Sequence, residues 1–279
     1  MAGSDTLPCY EIVPANERTV AEVEAWLDAE ETAHQAAWAI YEKGDYDVEI
    51  PPRGFRCNWN SVKRTWREGT ARLDMLIIGG ETVGFLDGTD ILEIRSDVRG
   101  NGYGRILADF MVARAVADGI SVLEIEIAPS SAEPFWVAMG FSPVHARNGP
   151  GGGIFAYRVL PRVYEMADGP RVPYTVEFFT EKAWYAGDFQ SFASFEGEGE
   201  LLPDGAIQLS SRAYCFDPQD RGSGDYFARI SVGGSVLFGD KTKREAGKAI
   251  GIERDAGYTY FIDRIHPKRF GNGHDGGAT

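Results

Sequence analysis

Residues 91–107, ILEIRSDVRGNGYGRIL, decide the fold of the first half of the chain. An apolar strand pattern over Ile91–Arg95 runs into a glycine-rich turn, and an amphipathic helix is predicted over Arg105–Asp118. The glycines let the backbone approach a ligand closely. The N-terminus of the following helix favours negative charge, and two arginines add positive charge there. The segment therefore predicts a cradle for a pyrophosphate group.

The position and ending of this turn argue against two other phosphate-binding folds. In a dinucleotide-binding fold the glycine-rich turn follows the first strand. Here four strands are predicted up to the turn, at residues 10–13, 73–78, 81–86 and 91–95. A nucleoside-triphosphate loop would end in Gly-Lys-Ser or Gly-Lys-Thr, whereas residues 104–106 read Gly-Arg-Ile.

The N-terminal region predicts two helices before the sheet continues. Residues 19–22, TVAE, have the form of a capping box, in which Thr19 accepts a backbone N–H and Glu22 reaches back. The helix after it has apolar residues at helical spacing and extends in pieces to Tyr41. A second, short helix is predicted over Ser61–Glu68.

Two motifs, in this order, resemble those of the GNAT family of acyl-CoA-dependent N-acetyltransferases. Residues 99–104, RGNGYG, are similar to the R/Q-x-x-G-x-G/A loop of the family. Thirty residues after Gly104, the stretch 134–141, PFWVAMGF, resembles the second signature, an aromatic-rich helix that closes on Gly-Phe. The resemblance covers residues 8–160. It implies an α/β GNAT acyltransferase fold, in which helices flank a mixed central sheet.

The resemblance also implies acetyl-CoA, or another short acyl-CoA, as the acyl donor. Backbone groups of the fourth strand would pair with the pantetheine arm, and N–H groups of the loop would hold the pyrophosphate. The acyl thioester would lie where two central strands splay apart, and the amine would approach from the N-terminal helix and the 42–60 loop. The implied cofactor-binding residues are Leu92, Glu93, Ile94, Arg99, Gly100, Asn101, Gly102, Tyr103, Gly104, Arg105 and Trp136.

The second motif departs from the family at Trp136. Family members usually carry a tyrosine here, whose hydroxyl protonates the departing CoA thiolate, and an indole N–H is only a weak acid. Another group, such as water or a nearby tyrosine, could protonate the thiolate, or the thiolate could depart unassisted. A third alternative is a domain that binds acyl-CoA without catalysing transfer.

Direct transfer requires a neutral amine, so a base must receive or relay the proton of the amine. The candidates are Glu93 on the fourth strand, and Glu124 and Glu126 on the fifth. Alternation along a strand places Glu124 and Glu126 on the same face. Glu124 matches a position where some family members carry a catalytic glutamate. Any of the three could instead simply face solvent at the sheet surface.

Beyond Leu160 the sequence changes in character. Residues 161–173 contain three prolines and predict a linker. From Tyr174 onward, short β-branched and aromatic runs alternate with Gly and Asp turns, which is typical of a sandwich or a barrel. We therefore predict a GNAT domain over residues 1–165 and a β-rich domain of unassigned role over 166–279, with a disordered tail from Gly271.

Composition limits the classes of partner. The chain has 28 Lys and Arg against 42 Asp and Glu, a net charge of −14, which argues against nucleic-acid binding. The acidic surface suits cationic partners, although it could equally serve only solubility. Three cysteines without a Cys-x-x-Cys pair, and four histidines without a ligand motif, predict a reducing compartment and no metal site. With no apolar run of membrane length and no signal pattern, a cytoplasmic protein without membrane contact is expected.

These features predict an N-acetyltransferase that transfers an acetyl or short acyl group from acyl-CoA to an amine by direct attack. The acceptor would be an amine-bearing small molecule or protein. The β-rich domain would help to select that acceptor or would build a homodimer. The alternative is a catalytically weak acyl-CoA-binding module, in which the β-rich domain binds a ligand or a protein partner.

Overall fold

Two compact units make up the chain in the computed structural model, residues 1–114 and residues 115–279. The structure describes residues 9–51, 54–187, 190–220 and 225–267. The tail from Gly271, for which the sequence predicts disorder, lies outside the described residues.

The first unit begins with a strand and two helices. They are β1 over Tyr10–Pro14, α1 over Glu17–Tyr41 and α2 over Arg56–Arg67. Asn16 is the N-cap of α1, because its side-chain oxygen accepts hydrogen bonds from the N–H groups of Arg18 and Thr19 at 3.0 and 3.1 Å. The capping box predicted at Thr19 is therefore wrong. Thr19 is the third residue of the helix, and its hydroxyl accepts the backbone N–H of Asn16 at 3.0 Å.

Four antiparallel strands form the sheet of the first unit, in the order β1-β2-β3-β4. The further strands are β2 over Leu73–Ile78, β3 over Glu81–Asp87 and β4 over Ile91–Ile94. The helices pack Trp26 and Trp59 against Phe85 of β3 in one buried cluster. Glu22 of α1 accepts a 2.6 Å hydrogen bond from the Thr82 hydroxyl, so it joins the helix to the sheet instead of capping the helix.

The glycine-rich turn leads from β4 into helix α3, which spans Tyr103–Ala117. Near the other end of α3, Arg114 donates hydrogen bonds to the buried carboxylate of Asp74 on β2 and to the backbone carbonyl of Gly88. Asp74 is 1% exposed, so this ion pair holds the helix against the sheet from inside the core.

The second unit opens with a three-stranded antiparallel sheet in the order β5-β7-β6. The strands are β5 over Val122–Ile127, β6 over Ser142–Asn148 and β7 over Ile154–Val159. The aromatic-rich motif forms the short helix α4, Glu133–Ala138, between β5 and β6. Both β4 and β5 are edge strands of their own sheets. The α/β order of elements through β7 is the order that the GNAT resemblance predicts.

Seven antiparallel strands form the C-terminal sheet, which curls into a half-barrel. The strands are β8 (Arg171–Thr180), β9 (Ala193–Leu201), β10 (Ile207–Cys215), β11 (Tyr226–Val232), β12 (Ser235–Lys241), β13 (Glu253–Arg254) and β14 (Tyr260–Ile265), in the spatial order β12-β11-β8-β9-β10-β14-β13. Two helices that the sequence pattern missed, α5 (Glu181–Ala186) and α6 (Glu245–Ile250), are each six residues long. Ile250 of α6 belongs to the core of this sheet, together with Phe178 and Ile262.

The segment predicted to be a linker is bonded to the C-terminal sheet. Val163 forms an antiparallel bridge with Ser211, and the Tyr164 N–H donates to the Ser210 carbonyl at 3.0 Å. The chain therefore leaves β7 and runs beside β10 before β8 begins. The domain boundary at residue 165 stays a prediction.

Arg212 on β10 ties the residues before β5 to the C-terminal sheet. Its side chain is 4% exposed and makes two hydrogen bonds to the Asp263 carboxylate, at 2.9 and 2.7 Å. It also donates to the Gly119 carbonyl and to the Ser121 hydroxyl, the latter at 3.2 Å. The guanidinium lies 3.7 Å from the centre of the Phe261 ring. A single buried cation on β10 thus satisfies acceptors on two other segments, β14 and the residues before β5.

We expect Arg212→Met to lower the free energy of unfolding by about 3 kcal/mol or more, because it leaves the Asp263 carboxylate half-buried without its cation. Urea denaturation of the full chain measures this change. Lys248→Met is the matched control: its ion pair with Glu245 is exposed, with side chains 65% and 86% accessible, so no measurable change is expected. Equal losses in the two variants would contradict the anchoring role of Arg212.

Candidate functional site

The loop after β4 presents a run of backbone donors. Gly100 and Gly102 have φ of 81° and 82°, a region that glycine adopts without steric cost. The N–H groups of residues 100–104 have no acceptor within the part of the chain that the structure describes. Asn101 closes the loop by donating to the Val98 carbonyl at 3.0 Å. A Cβ added at Gly100 would meet no atom within 4 Å, so the space beside the donors is open.

Arg99 turns back toward the strand that precedes the loop. Its Nε donates to the Ile94 carbonyl at 2.9 Å, and its Nη2 donates to the Glu93 carboxylate at 2.6 Å. Arg105, in the first turn of α3, makes no ion pair with any described residue. Of the two arginines in the loop, Arg105 therefore keeps its charge free, and Arg99 fixes the loop to β4.

The outer edge of β4 faces no other strand among the described residues. Its inner edge pairs Leu92 with Leu86, Glu93 with Phe85 and Ile94 with Gly84 of β3. A Cβ on Gly84 would lie 2.7 Å from the Glu93 carbonyl oxygen, so a glycine is required for β3 and β4 to approach this closely. An extended ligand with amide groups can add to such an edge as a further strand.

The Glu93 carboxylate is partly enclosed and paired. Its side chain is 20% exposed, and its pKa is raised by burial, while the charge of Arg99 opposes the rise. The carboxylate of Glu30 on α1 raises the pKa of Glu93 further. Glu30 itself accepts the Ser96 N–H at 2.8 Å. Two carboxylates and one guanidinium are thus grouped at the end of β4.

The two glutamates of β5 have different partners. Glu126 accepts hydrogen bonds from the N–H groups of Gly151 and Gly153 at 2.6 and 2.7 Å, so it holds the loop between β6 and β7. Glu124 makes no hydrogen bond with a described residue, and its closest cation is Arg147 of β6, at 3.8 Å. Burial raises the pKa of Glu124, and Arg147 lowers it in part.

Glu124 lines a cavity of about 360 Å³ inside the second unit. Arg147 of β6 contributes to the same wall, and the C-terminal sheet and its connections supply the others, including Phe216, Asp217, Asp220, Tyr226 and Tyr258. No motif in the sequence points to these C-terminal residues. Asp217 follows Glu124 by 93 positions, and the only local signal was an aromatic strand that ends in Cys-Phe-Asp at 215–217.

Trp136 is half-buried in α4. Its ring packs against Phe135 and Phe141, with centroid distances of 5.0 and 5.2 Å and steep interplanar angles. The second motif therefore forms an aromatic cluster, and the indole ring of Trp136 packs within it.

Two kinds of feature are absent from the described ranges. No helix there is long and apolar enough to cross a membrane. No group of three or more His, Cys, Asp or Glu side chains in the same ranges could hold a metal ion.

The structure is similar to solved structures of GNAT acetyltransferases over about half of this chain. An acetyltransferase of the GNAT family from Staphylococcus aureus Mu50 is 13% identical, with a TM-score of 0.38, over 54% of this chain and 99% of that one. A GCN5-related N-acetyltransferase from Rhodopseudomonas palustris is 20% identical, with a TM-score of 0.38, over 57% and 100%. PaiA N-acetyltransferase from Thermoplasma acidophilum, solved in complex with coenzyme A, is 12% identical, with a TM-score of 0.37, over 55% and 99%. No protein-family model and no curated protein sequence matches the chain.

Proposed function

We propose that this protein is an N-acetyltransferase that transfers an acetyl or short acyl group from acyl-CoA to a primary amine. The observation that carries the proposal is the row of free backbone donors over residues 100–104, directly after the open edge of β4. Free N–H groups at a helix N-terminus suit a pyrophosphate. An open strand edge suits the amide groups of a pantetheine arm.

The residues present fit acetyl-CoA as the acyl donor. The N–H groups from Gly100 to Gly104 would hold the pyrophosphate, and Arg105 would add a free positive charge. The backbone of Leu92 to Ile94 would bind the pantetheine arm, and Arg99 would position the loop through Glu93. When bound, acyl-CoA supplies a thioester whose carbonyl carbon is the electrophile.

We assign the role of base to Glu124. The amine nitrogen forms a bond to the acyl carbon, the C–S bond breaks, and CoA leaves as the thiolate. The amine proton passes to Glu124, directly or through a water. This carboxylate is free of hydrogen bonds to described residues, and its raised pKa makes it a stronger proton acceptor. Glu93 is the second candidate for the base, because its carboxylate is already paired with Arg99. Glu126 holds the loop between β6 and β7, so we give it a structural role.

We do not assign to Trp136 the role of protonating the departing CoA thiolate. Its indole packs in an aromatic cluster, and an indole N–H does not give up a proton near neutral pH. An ordinary thiol has a pKa of about 8.5, so a thiolate can depart without a proton donor at moderate cost.

A catalytically weak acyl-CoA-binding module is the second candidate function, and Trp136 is the observation that favours it. Release of free thiol from acetyl-CoA in the presence of a panel of primary amines separates the two candidates. Acceleration by any amine supports the transferase. Binding of acetyl-CoA without acceleration by any amine supports the module.

We propose a cytoplasmic location for the protein. Cys9 and Cys57 are exposed free thiols and Cys215 is a buried one, as expected of a reducing compartment. The role of the β-rich domain in a homodimer stays a prediction.

Gly104→Val is expected to weaken acetyl-CoA binding by tenfold or more, about 1.4 kcal/mol, because the side chain would occupy the space of the pyrophosphate. Calorimetry on the full chain measures the affinity. Ala113→Val is the control, since it adds the same side chain at an exposed position of the same helix. Unchanged affinity in Gly104→Val would contradict the placement of the pyrophosphate.

Glu124→Gln is expected to lower the turnover rate about a hundredfold or more while acetyl-CoA affinity stays unchanged, because the base loses its charge and keeps its shape. In the wild type, the rate should fall as the pH falls through the raised pKa of Glu124, where the carboxylate becomes protonated. This fall in rate at low pH should be absent in Glu124→Gln. Wild-type turnover from about pH 6 to 9 in both Glu124→Gln and Glu93→Gln would show that neither is the base.

A further inference from the structure

Two carboxylates at the cavity differ from the others in their partners. Asp217 and Asp220 form no ion pair with any residue that the structure describes. Asp225, which also lines the cavity, is different: Lys241 and Lys243 neutralise it at 2.7 and 2.5 Å. Two carboxylates at a cavity that form no ion pair within the described part of the chain favour a positively charged ligand there.

The two unpaired carboxylates are held by neutral donors. Asp217 accepts the Gln219 N–H at 2.9 Å, and Asp220 accepts the Tyr226 hydroxyl at 2.5 Å. These hydrogen bonds fix the position of the two carboxylates and leave their negative charge in place. The arrangement is therefore preorganised for a cation without a side-chain rearrangement.

The arginines beside the cavity are held by aromatic rings. The guanidinium of Arg147 lies 3.6 Å from the centre of the Phe155 ring and donates weakly to the Pro218 carbonyl at 3.5 Å. Arg254 lies 4.6 Å from the centre of the Tyr258 ring. Neither guanidinium lies within ion-pair distance of Asp217 or Asp220.

Four aromatic residues, Phe216, Tyr226, Tyr258 and Tyr260, are among the remaining lining residues. Phe216 packs on Tyr157 at 5.0 Å, and Tyr258 is 73% exposed. Cys215 is 4% exposed, and burial raises the pKa of its thiol well above the usual range, so the thiol is neutral. Aromatic faces attract ammonium groups and also bury an apolar stem. A volume of about 360 Å³ lies within the range of small-molecule sites.

We infer that this cavity is the acceptor pocket, and that it takes a primary ammonium carried on an aromatic or apolar stem, with Asp217 and Asp220 as its anionic partners. The inference rests on the proposed function and names its acceptor class. Glu124 lies in the same cavity wall, so the bound amine is beside the group that would receive its proton. The net charge of −14 attracts such cations at longer range.

The test uses 2-phenylethylamine as the probe, titrated into the full chain by calorimetry, with 2-phenylethanol as its neutral counterpart. The amine should bind at least tenfold more tightly than the alcohol. The double variant Asp217→Asn, Asp220→Asn should lose tenfold or more of the amine affinity. Asparagine keeps an oxygen for the Gln219 N–H and the Tyr226 hydroxyl, so an unchanged thermal unfolding temperature is expected.

Two further variants keep the result interpretable. Glu198→Gln removes one exposed carboxylate from β9 outside the cavity, and should leave amine affinity unchanged. Tyr258→Asn removes a ring at the cavity, and should weaken the amine and the alcohol alike by several-fold. Asparagine suits the φ of 66° at this position, so folding is preserved.

The inference is overturned if the amine does not bind, if amine and alcohol bind equally, or if the double variant binds the amine as the wild type does. Acetyl-CoA is titrated separately into the same preparations. If the wild-type protein binds the amine but does not bind acetyl-CoA, the proposed function is contradicted and the amine pocket stands. If the wild-type protein binds acetyl-CoA but does not bind the amine, the acyl-CoA site stands and the amine pocket is contradicted.

Discussion

Burial of the Arg212 guanidinium is the constraint on which the second unit depends. A guanidinium presents its N–H donors in a rigid plane, and each donor must find an acceptor when water is excluded. Asp263 on β14 takes two of these bonds, and Gly119 and Ser121 before β5 take the others. The positions of β10, β14 and the residues before β5 relative to one another are therefore fixed. The strand β5, which lies in the region that resembles the family, is consequently held by the C-terminal sheet.

This constraint bears on the chemistry because Glu124 is on β5. The strand that carries the carboxylate we assign as base is tied, just before it begins, to a residue outside the region of the family resemblance. The cavity beside it is likewise walled by residues of the C-terminal sheet and its connections. Under the proposed function, the C-terminal sheet would supply acceptor specificity without altering the loop proposed to bind the donor, since acceptor sites are built on variable segments. The row of donors over residues 100–104 lies in the other compact unit.

Local patterns in the sequence predicted the first four strands, the glycine-rich loop and helix α3, because each depends on neighbours within a few positions. The capping error at α1 has a local cause as well. Asn16 and Thr19 hydrogen-bond to one another reciprocally, so either could be read as the first residue of the box. The pairing of strands that are distant in the sequence could not be predicted. Alternation marks which residues share a face, but it does not say which strands are neighbours, so a sandwich or barrel could not be distinguished from one curled sheet. The cavity residues come from strand ends and turns with no common period, and only folding brings them to Glu124.

The open edge of β4 has a consequence for the protein before any ligand binds. An unpaired strand is a template on which the strand of another molecule can add, and this is a common route to aggregation. Two features restrict that route here. β4 is only four residues long, and Arg99 occupies the carbonyl of its last residue, Ile94, while placing a charged group at the strand end. A pantetheine arm along the same edge would cover what remains. The donor would then act as a removable strand, so a cell rich in acyl-CoA would also keep this protein dispersed.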